Sequence, residues 1–522
     1  MEMLNRMAAE AVRELDAIRH PSAGARAKNL AKSLLGRGSA TISDPIFWPA
    51  GLLLTGLMET GHAGNAAGTS PEINTAGNSA NAFPGNHASG DATYASSGSH
   101  AADDASDLRK YSSSVEEYLA GWLRQGAPVR NPDDALTGSV VLELYAQTGN
   151  PAYKEAADKI AAYLKGCLRD ANGSIIYGQQ SGNSRIYADG AGMTAMFLAR
   201  YAKIARSEHH AEPDAAPGQS EDVSAISDHL PDETERNTGC TNDMGTAGAT
   251  GNLRKEAGSD ANTSDKNTAD AANGQRDEST HYDPMDDARR QLLNYARYGM
   301  DVRSGLPYHA YDAENGLKLG IIGWGRAVGW LLLGLSEYLI CNPDDEELAD
   351  FTQTILNAVS DRVRPDGMLS WQLDCIEGPL DTSATGMIFY AMLRMNRTLH
   401  APQKPNKTSE TVDPFPDSMI SAAFSLDSAA SASSFPDIAE PASSPAKAPH
   451  ACPKQSGMSW IDSSLLDAAA AALRECVAED GKVYWCSAEC IDIAQYSQQF
   501  GHYSWGQAAV LAFLALYESC PT

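Results

Sequence analysis

The sequence predicts an all-α fold, an (α/α)6 toroid in which six buried helices form an inner ring and six amphipathic helices surround it. Two patterns lead to this prediction. Six segments are apolar nearly all round, which is typical of buried helices. The segments between them are charged and carry apolar residues at helical spacing on one face only. The same alternation also fits an α-solenoid of helical hairpins, which stays open as the alternative.

The predicted outer helices are the charged segments with a single apolar stripe. The first of them has mixed charge, and it lacks the basic start, apolar core and small-residue cleavage site of a secretory signal. The six outer helices are Glu2 to Arg19, Ser113 to Arg124, Tyr153 to Leu168, Met285 to Tyr298, Glu346 to Val363 and Ser463 to Val477.

Each predicted inner helix opens from a polar or aromatic turn that contains a small residue, and it continues as an apolar run. This repeated unit recurs along the whole chain, as expected of a repeat architecture. The six copies read "FWPAGLLLTGLMETG", "DDALTGSVVLELYAQTG", "ADGAGMTAMFLARYAKI", "WGRAVGWLLLGLSEYL", "DTSATGMIFYAMLRM" and "SWGQAAVLAFLALYE".

Three stretches are rich in Gly, Ala, Ser, Asn, Asp and Pro and have almost no apolar periodicity. Such segments bury too little apolar surface to offset their ordering entropy. We therefore predict one domain over 1–522, with disordered insertions at about 63–106, 206–280 and 401–457. All three insertions follow an inner helix and precede an outer one. The opposite face, where the inner helices begin, is therefore the predicted functional face.

Composition excludes several classes of partner. The 522 residues carry 40 basic and 67 acidic side chains, a formal net charge of −27. This balance argues against nucleic acid or an anionic membrane as a partner. No apolar run is long enough to span a membrane, and the 9 scattered cysteines suit a reducing cytoplasm. No motif indicates a site for a metal, nucleotide or other cofactor, so we predict a protein without cofactors. We also predict that it is cytoplasmic and either a monomer or a homodimer.

The residues that could carry chemistry gather at the starts of the inner helices. Helix N-termini carry unsatisfied N–H groups and favour an anion. The Arg326 guanidinium adds a positive charge in a fork suited to carboxylate, and Trp rings suit the C–H faces of a sugar. Together these properties indicate a small acidic oligosaccharide as the ligand. The candidates are Trp48, Asp133, Asp134, Asp189, His309, Trp324, Arg326, Trp330, Asp381, Thr382 and His502.

Most of these residues also have a structural interpretation. Asp133 in "NPDDALTG" and Asp189 in "IYADGAGM" have the positions of N-caps, the commoner role of an Asp at a helix start. Trp324 and Trp330 could fill the core, and His309 could be a satisfied loop histidine. Their gathering on one predicted face favours a site over these separate interpretations.

A set of motifs along the ordered part of the chain resembles one known family. "FWPAGL", "DDALTG", "IYADGAGM", "GLPYHAYD", "WGRAVGW" and "LDTSATGMIFYAMLR" occur in the order and approximate spacing found in the unsaturated rhamnogalacturonyl hydrolases. These enzymes are glycoside hydrolase family 105, and family 88 is related to them. The resemblance covers essentially all the chain outside the predicted insertions, and the "WGR…GW" motif following "GL.YH..D" is its most specific part.

The resemblance implies an intracellular (α/α)6 enzyme that removes a 4,5-unsaturated uronic acid from the non-reducing end of lyase-generated oligosaccharides. In that reaction an acid protonates C4 of the enol ether and water adds at C5, so one carboxyl group can serve first as acid and then as base. The resemblance gives these roles to Asp189, and it makes Asp133 the second essential Asp. It implies contacts with the sugar for Trp48, His309, Trp324, Arg326 and Trp330.

One departure from the family affects the leaving sugar. Some rhamnogalacturonyl members carry a His shortly before the catalytic Asp, whereas the loop "GSIIYGQQSGNSRIYAD" has none. The leaving sugar and the choice between glucuronyl and galacturonyl substrates are therefore left open. Two other functions remain as alternatives: another sugar-acting toroid enzyme, such as an epimerase or an ordinary glycosidase, and a helical-repeat binding protein without activity.

Overall fold

The structure is a computed structural model that describes residues 1–24, 45–68, 98–177, 184–211, 282–399, 462–493 and 495–519. The chain divides into a main unit, Met1–Ser207 with Asp283–Thr522, and the segment Glu208–Tyr282. The architecture below is that of the main unit. None of the described helices combines the length and hydrophobicity needed to cross a membrane.

Twelve helices in the described residues alternate between an outer and an inner position. The outer helices are α1 Glu2–Arg19, α3 Gly98–Arg124, α5 Pro151–Gly166, α7 Pro284–Tyr298, α9 Glu346–Ser360 and α11 Ser463–Glu475. The inner helices are α2 Trp48–Gly68, α4 Asp134–Thr148, α6 Ala188–Ala211, α8 Gly325–Cys341, α10 Thr382–Leu399 and α12 Ser504–Glu518.

The inner helices form a closed ring. Helix α2 packs against both α4 and α12, and α10 packs against both α8 and α12. Arg200 of α6 donates to the backbone oxygen of Ser139 on α4. On its other side α6 approaches α8 so closely that a Cβ added at Gly192 would lie 2.1 Å from the carbonyl oxygen of Trp330. The closed ring confirms the predicted (α/α)6 toroid, because an open solenoid would leave α2 and α12 apart.

The described helices extend further into two of the predicted insertions than the sequence analysis expects. Helix α2 continues to Gly68, α3 already begins at Gly98, and α6 continues to Ala211. The extended ends of α2 and α3 are rich in Ala, whose high helix propensity prolongs a helix that is already nucleated even without an apolar stripe. The remainder of the first two insertions, and all of 401–457, lies outside the described residues.

The two rings differ in how their helices begin. Four outer helices have an Asn or Asp N-cap whose side chain accepts from a backbone N–H group; these caps are Asn150, Asp283, Asp345 and Asp462. Among the described inner helices, α4, α8 and α12 begin without any side-chain cap bond. Uncapped N–H groups therefore face the end of the toroid where the inner helices begin, and this end favours an anion.

Short strands lie at the same end of the toroid. Strands β1 Arg185–Tyr187, β2 Tyr308–Asp312 and β3 Leu317–Ile322 form an antiparallel sheet in that order, and they lead into α6 and α8. Between α11 and α12, β4 Cys486–Ser487 pairs with β7 Phe500–Gly501, and β5 Cys490–Asp492 pairs with β6 Gln495–Tyr496. Strands thus occur at this end in the connections that precede α6, α8 and α12.

A buried network of charges joins the inner helices further along their length. Arg394 of α10 lies 2.8 Å from Glu59 of α2 and 2.5 Å from Glu337 of α8, and Arg200 of α6 lies 2.6 Å from the other oxygen of Glu337. Burial acts to raise the pKa of the Glu337 carboxyl, but the two guanidinium groups outweigh it and lower that pKa to about 2. We call Glu59, Arg200, Glu337 and Arg394 the charge network.

Candidate active site

All seven residues that the sequence analysis assigns to the site line one cavity at the end where the inner helices begin. They are Trp48, Asp133, Asp189, His309, Trp324, Arg326 and Trp330. Six further residues complete the wall: Phe47, Tyr177, Tyr187, Met193, Glu489 and Cys490. The ring architecture brings together residues from the inner helices α2, α6 and α8, the N-cap of α4, three short strands and the loops between them.

Asp133 occupies the N-cap position of α4, but its side chain caps nothing. The neighbouring Asp134 instead accepts from the backbone N–H groups of Arg130 and Asn131. The Tyr177 hydroxyl donates to Asp133 Oδ2 across 2.5 Å. Asp133 is 1% exposed, and its Oδ1 has no hydrogen-bond partner among the described residues. The N-cap interpretation therefore does not account for Asp133.

The electrostatic surroundings of Asp133 favour its protonated form. Burial raises the pKa of Asp133 to about 8, because a carboxylate in this site would lose its hydration. The hydrogen bond from Tyr177 opposes this rise, and the carboxyl groups of Asp189 and Asp134 add to it. The raised pKa therefore favours the protonated form of Asp133 at neutral pH.

Asp189 lies in the first turn of α6, directly after β1. Its Oδ2 is 3.1 Å from Nε2 of His309, whereas its Oδ1 is buried without a partner among the described residues. Asp133 and Asp189 thus each have one oxygen held by the protein and one oxygen without a partner among the described residues. Buried polar atoms are nearly always hydrogen-bonded, so two such oxygens in one cavity call for a ligand.

His309 is oriented by an irregularity in the small sheet. The register between β2 and β3 shifts between Tyr308 and Ala310, and such bulges re-aim a side chain. Nδ1 of His309 lies 2.9 Å from the Tyr496 hydroxyl. Gly320, at φ +81°, makes room for this pair, because a Cβ there would lie 2.5 Å from the Tyr496 oxygen.

The hydrogen bonds around His309 run in one direction. The backbone N–H of Ile321 donates to the Tyr496 oxygen. The Tyr496 hydroxyl is then free to donate to Nδ1 of His309, which leaves the hydrogen on Nε2 to be donated to Asp189. His309 is 3% exposed, so it reaches the cavity chiefly through Asp189.

Arg326 lines the cavity, but its Nη groups donate to the protein. Nη1 donates to the backbone oxygen and the hydroxyl of Ser487, at 2.9 and 2.6 Å, and Nη2 donates to the backbone oxygen of Ala488. The guanidinium also lies 4.6 Å from the ring centre of Trp324. Arg326 therefore anchors the strand β4 that leads to Glu489 and Cys490. The expected contact with sugar oxygens stays a prediction.

Aromatic rings form one wall of the cavity. Trp48 meets Trp330 edge to face with ring centroids 6.0 Å apart, and it lies 5.4 Å from Trp505. Trp330 is 3% exposed and so serves the core as well as the wall. Such a wall offers the flat apolar surface that a pyranose ring requires.

Replacing Arg326 with Lys is expected to lower kcat/KM about tenfold to a hundredfold, because an ammonium cannot keep the three-way fork to Ser487 and Ala488. Each lost charge-assisted hydrogen bond is worth about 1.5–3 kcal/mol. Arg297→Lys serves as the control, since Arg297 is 56% exposed and pairs loosely with Glu347. Steady-state kinetics that show equal values for both variants would contradict the anchoring role.

Besides Asp134, three other candidates lie away from the cavity. Asp381 accepts from the hydroxyl groups of Ser383 and Ser487, and the Thr382 hydroxyl donates to the backbone oxygen of Tyr484. His502 lies 2.7 Å from Glu14, and its Nδ1 lies 3.0 Å from the Val483 oxygen. His502, Glu14 and Glu10 bring three atoms that could coordinate a metal ion to within 4.8 Å of one another. The same geometry is that of an ion pair.

Sequence reasoning missed six residues of the wall. Phe47 lies next to Trp48, and Tyr187 lies two positions before Asp189, both inside the motifs given above. Their neighbours could therefore have indicated them. Tyr177 and Glu489 come from irregular loops, and Cys490 begins the short strand β5; none of the three stands in a local sequence pattern. Glu489 makes no hydrogen bond or ion pair with another described residue, so the structure leaves its carboxylate at the cavity without a protein partner.

Comparison with known proteins agrees with this architecture. Residues 274–411 match the model of Glycosyl Hydrolase Family 88. Two curated proteins, one from Agrobacterium fabrum and the 24.9 kDa protein in picA locus of Rhizobium radiobacter, are each 31% identical over 126 residues, 22% of this chain and 54% of theirs. The chain thus spans about half the length of the curated relatives it matches.

Two solved structures share the fold at low sequence identity. A possible member of the GH105 family from Klebsiella pneumoniae has a TM-score of 0.52 at 12% identity, covering 90% of this chain and 82% of its own. A family 105 glycoside hydrolase from C. acetobutylicum has a TM-score of 0.50 at 14% identity, covering 94% of this chain and 99% of its own.

Proposed function

We propose that the chain is a glycoside hydrolase related to families 88 and 105. We propose further that it removes a 4,5-unsaturated uronic acid from the non-reducing end of lyase-generated oligosaccharides. The observation that carries the proposal is the pair Asp133 and Asp189, two carboxyl groups in one cavity that each keep one oxygen without a partner among the residues that the structure describes. Such a pair can donate and accept the protons that are transferred when water adds to a double bond.

The chemistry requires little else from the protein. The double bond of the unsaturated ring is an enol ether, so its C4 is basic enough to accept a proton from a carboxylic acid. Water then adds at C5, and the resulting hemiketal opens and releases the leaving sugar. General acid catalysis of this kind contributes about a hundred- to ten-thousandfold to a rate.

The remaining features of the cavity fit this substrate. The wall of Trp48 and Trp330 offers an apolar face to the sugar ring. The uncapped starts of the inner helices α4, α8 and α12 favour the carboxylate of the unsaturated uronate. Glu489 adds a negative charge to the wall, so we expect a neutral or amino sugar in the leaving position in preference to a second uronate.

A panel of unsaturated disaccharides made by polysaccharide lyases tests the proposal. The panel should vary the leaving sugar and should include both glucuronate- and galacturonate-derived rings. We expect loss of the ultraviolet absorption of the conjugated enol carboxylate, fastest with neutral or amino leaving sugars. The matched saturated disaccharides serve as controls and should stay intact. Cleavage of the saturated sugars would indicate an ordinary glycosidase, and unchanged absorption across the whole panel would contradict the proposed function.

A further inference from the structure

We propose that the protein has a second carbohydrate-binding site beside the cavity. This site is the aromatic groove, lined by Tyr484, Trp485 and Phe500, and it holds the sugars that follow the leaving sugar in a longer oligosaccharide. The inference rests on the proposed function and narrows its substrate class, because it makes oligosaccharides longer than a disaccharide the better substrates.

Trp485 has an unusual position for a tryptophan. It is 58% exposed, more than any other tryptophan that the structure describes, and the neighbouring Tyr484 is 42% exposed. The indole makes no hydrogen bond or ring contact with another described residue. Two adjacent aromatic side chains left in water form an apolar surface that is available to a ligand.

The backbone of Trp485 is strained. Its φ is +61°, a left-handed conformation that glycine adopts freely and a bulky side chain adopts at a cost. The fold requires this turn, because the carbonyl oxygens of Trp485 and Tyr484 accept from the N–H group and the hydroxyl of Thr382 at the start of α10. Glycine would supply the same carbonyl oxygen without strain. The indole therefore serves something other than the fold, and strained residues of this kind cluster at functional sites.

The groove beside Trp485 has the size and lining of a sugar site. Its volume is about 310 Å³, and Phe500 and Gly501 of β7 line it together with the two exposed aromatic residues. Aromatic faces suit the C–H faces of a pyranose ring. Among the described residues that line the groove, Glu475 is the charged one, and its exposed carboxylate can accept from sugar hydroxyl groups. The lining thus favours neutral or amino sugars over a further uronate.

One pair of strands joins the aromatic groove to the cavity. Trp485 directly precedes β4, and Ser487 of β4 pairs with Phe500 of β7. The same Ser487 binds Arg326 in the cavity wall, and Glu489 lines the cavity itself. Trp485 and Glu489 are four positions apart, which limits the distance between their Cα atoms to about 14 Å. A single oligosaccharide chain can therefore extend from the cavity to the groove.

The size of the cavity requires that most of a longer substrate lies outside it. The cavity has a volume of about 200 Å³, which is below the range of about 300–1,000 Å³ that is typical of pockets for drug-sized ligands. The unsaturated ring at the non-reducing end occupies this space. The following sugars then lie along the surface, where the aromatic groove adjoins the cavity wall and offers them stacking contacts.

The test is the dependence of kcat/KM on substrate length. An unsaturated disaccharide is compared with the unsaturated tetrasaccharide that has the same sugar at each cleaved bond. The parent should use the tetrasaccharide better by about twofold to tenfold, the gain expected of one aromatic stacking contact. Trp485→Gly suits the backbone conformation, so it should keep the parent's rate on the disaccharide and lose the gain, mainly through a higher KM for the tetrasaccharide. Trp485→Phe keeps a stacking face and should retain part of the gain.

Leu317→Ala is the matched control. Leu317 is an apolar side chain of β3 that is 51% exposed and lies outside the groove, so its variant should show the same length dependence as the parent. A parent that gains nothing from length, or a gain that persists in Trp485→Gly, overturns the inference and leaves the proposed function intact. A parent that is inactive on every unsaturated substrate contradicts the proposed function instead, so the two failures are distinguishable.

Nuclear magnetic resonance of the indole N–H groups provides a second measurement, which needs neither turnover nor a folded glycine variant. It uses Asp189→Asn with isotope-labelled tryptophan, and the resonance of Trp485 is identified by its absence when Trp485→Phe is added. That resonance should shift with the tetrasaccharide and stay in place with the disaccharide. A resonance that responds to neither substrate, or equally to both, overturns the inference. A dimer that becomes a monomer in Trp485→Phe also overturns it, because a second copy of the chain would then cover the groove.

Discussion

Replacing Asp189 with Asn is expected to lower kcat/KM by about a hundred- to ten-thousandfold, and Asp133→Asn is expected to have an effect of the same order. An amide can neither deliver nor take a proton at these positions. The measurement is the rate of loss of the enol-carboxylate absorption, with circular dichroism to show that each variant is folded. Substantial activity in either folded variant would contradict the role given to that residue.

Asp134→Asn is the matched control for these variants. Asp134 is adjacent in sequence, and its Oδ2 accepts from two backbone N–H groups, which an Asn oxygen can still do. We expect kcat/KM to stay within a few-fold of the parent and a change in stability of about 1 kcal/mol or less. A loss as large as that of Asp133→Asn would mean that any charge change at this helix start disables the site.

Asp133→Asn is expected to lower activity while its stability relative to the parent increases as the pH rises. The folded-state pKa of about 8 lies above the usual 3.8. A raised pKa of this kind means that the folded state binds the proton more tightly than the unfolded state does. The stabilisation that this proton gives the fold is complete below pH 3.8 and is lost as the pH rises from there to about 8. Asn has no proton to lose. The Tm of Asp133→Asn relative to the parent should therefore increase between acidic and slightly alkaline pH.

Breaking the charge network is expected to destabilise the fold by about 3–5 kcal/mol, because removal of one partner leaves a buried charge uncompensated. Glu337→Gln is the sharpest variant, since both oxygens of Glu337 bind a guanidinium and the side chain is 2% exposed. Denaturant unfolding measures the loss. Arg289→Met is the control, because its ion pairs with Asp345 and Glu347 are partly exposed and worth about 0–1 kcal/mol.

The destabilisation should depend on pH in a defined direction. The folded-state pKa values of Glu59 and Glu337 are both about 2, below the usual 4.5. Lowered values of this kind stabilise the fold above pH 4.5, and the stabilisation is lost as the pH falls towards 2. The Tm difference between the parent and Glu337→Gln should therefore shrink on acidification through this range. A difference that is constant with pH would show that the network contributes through packing alone.

The charge network and the candidate site use buried charge differently. Glu337 has a guanidinium on each oxygen, so its charge is matched and stabilises the ring. Among the described residues Asp133 accepts from one hydroxyl and pairs with no cation, and burial raises its pKa. A site that leaves polar atoms without protein partners costs stability, and this cost is expected where a ligand is to be bound.

The sequence by itself determined the helices, their alternation and the end of the toroid that carries the site. These properties follow from local patterns: helical periodicity assigns each segment to the inner or outer ring, and the order of the loops assigns the ends. The same patterns placed Trp48, Asp133, Asp189, His309, Trp324, Arg326 and Trp330 on one face, and the structure brings them to one cavity.

Only the tertiary structure decided what these side chains contact. Arg326 donates to Ser487, 161 positions away, and Asp189 meets His309, 120 positions away; no local pattern encodes either pair. The Tyr177 hydroxyl reaches Asp133 from a loop without periodicity. The raised pKa of Asp133 has the same origin, because a pKa depends on burial and on neighbouring charges, and both are set by the folded ring and not by the residues beside Asp133 in the chain.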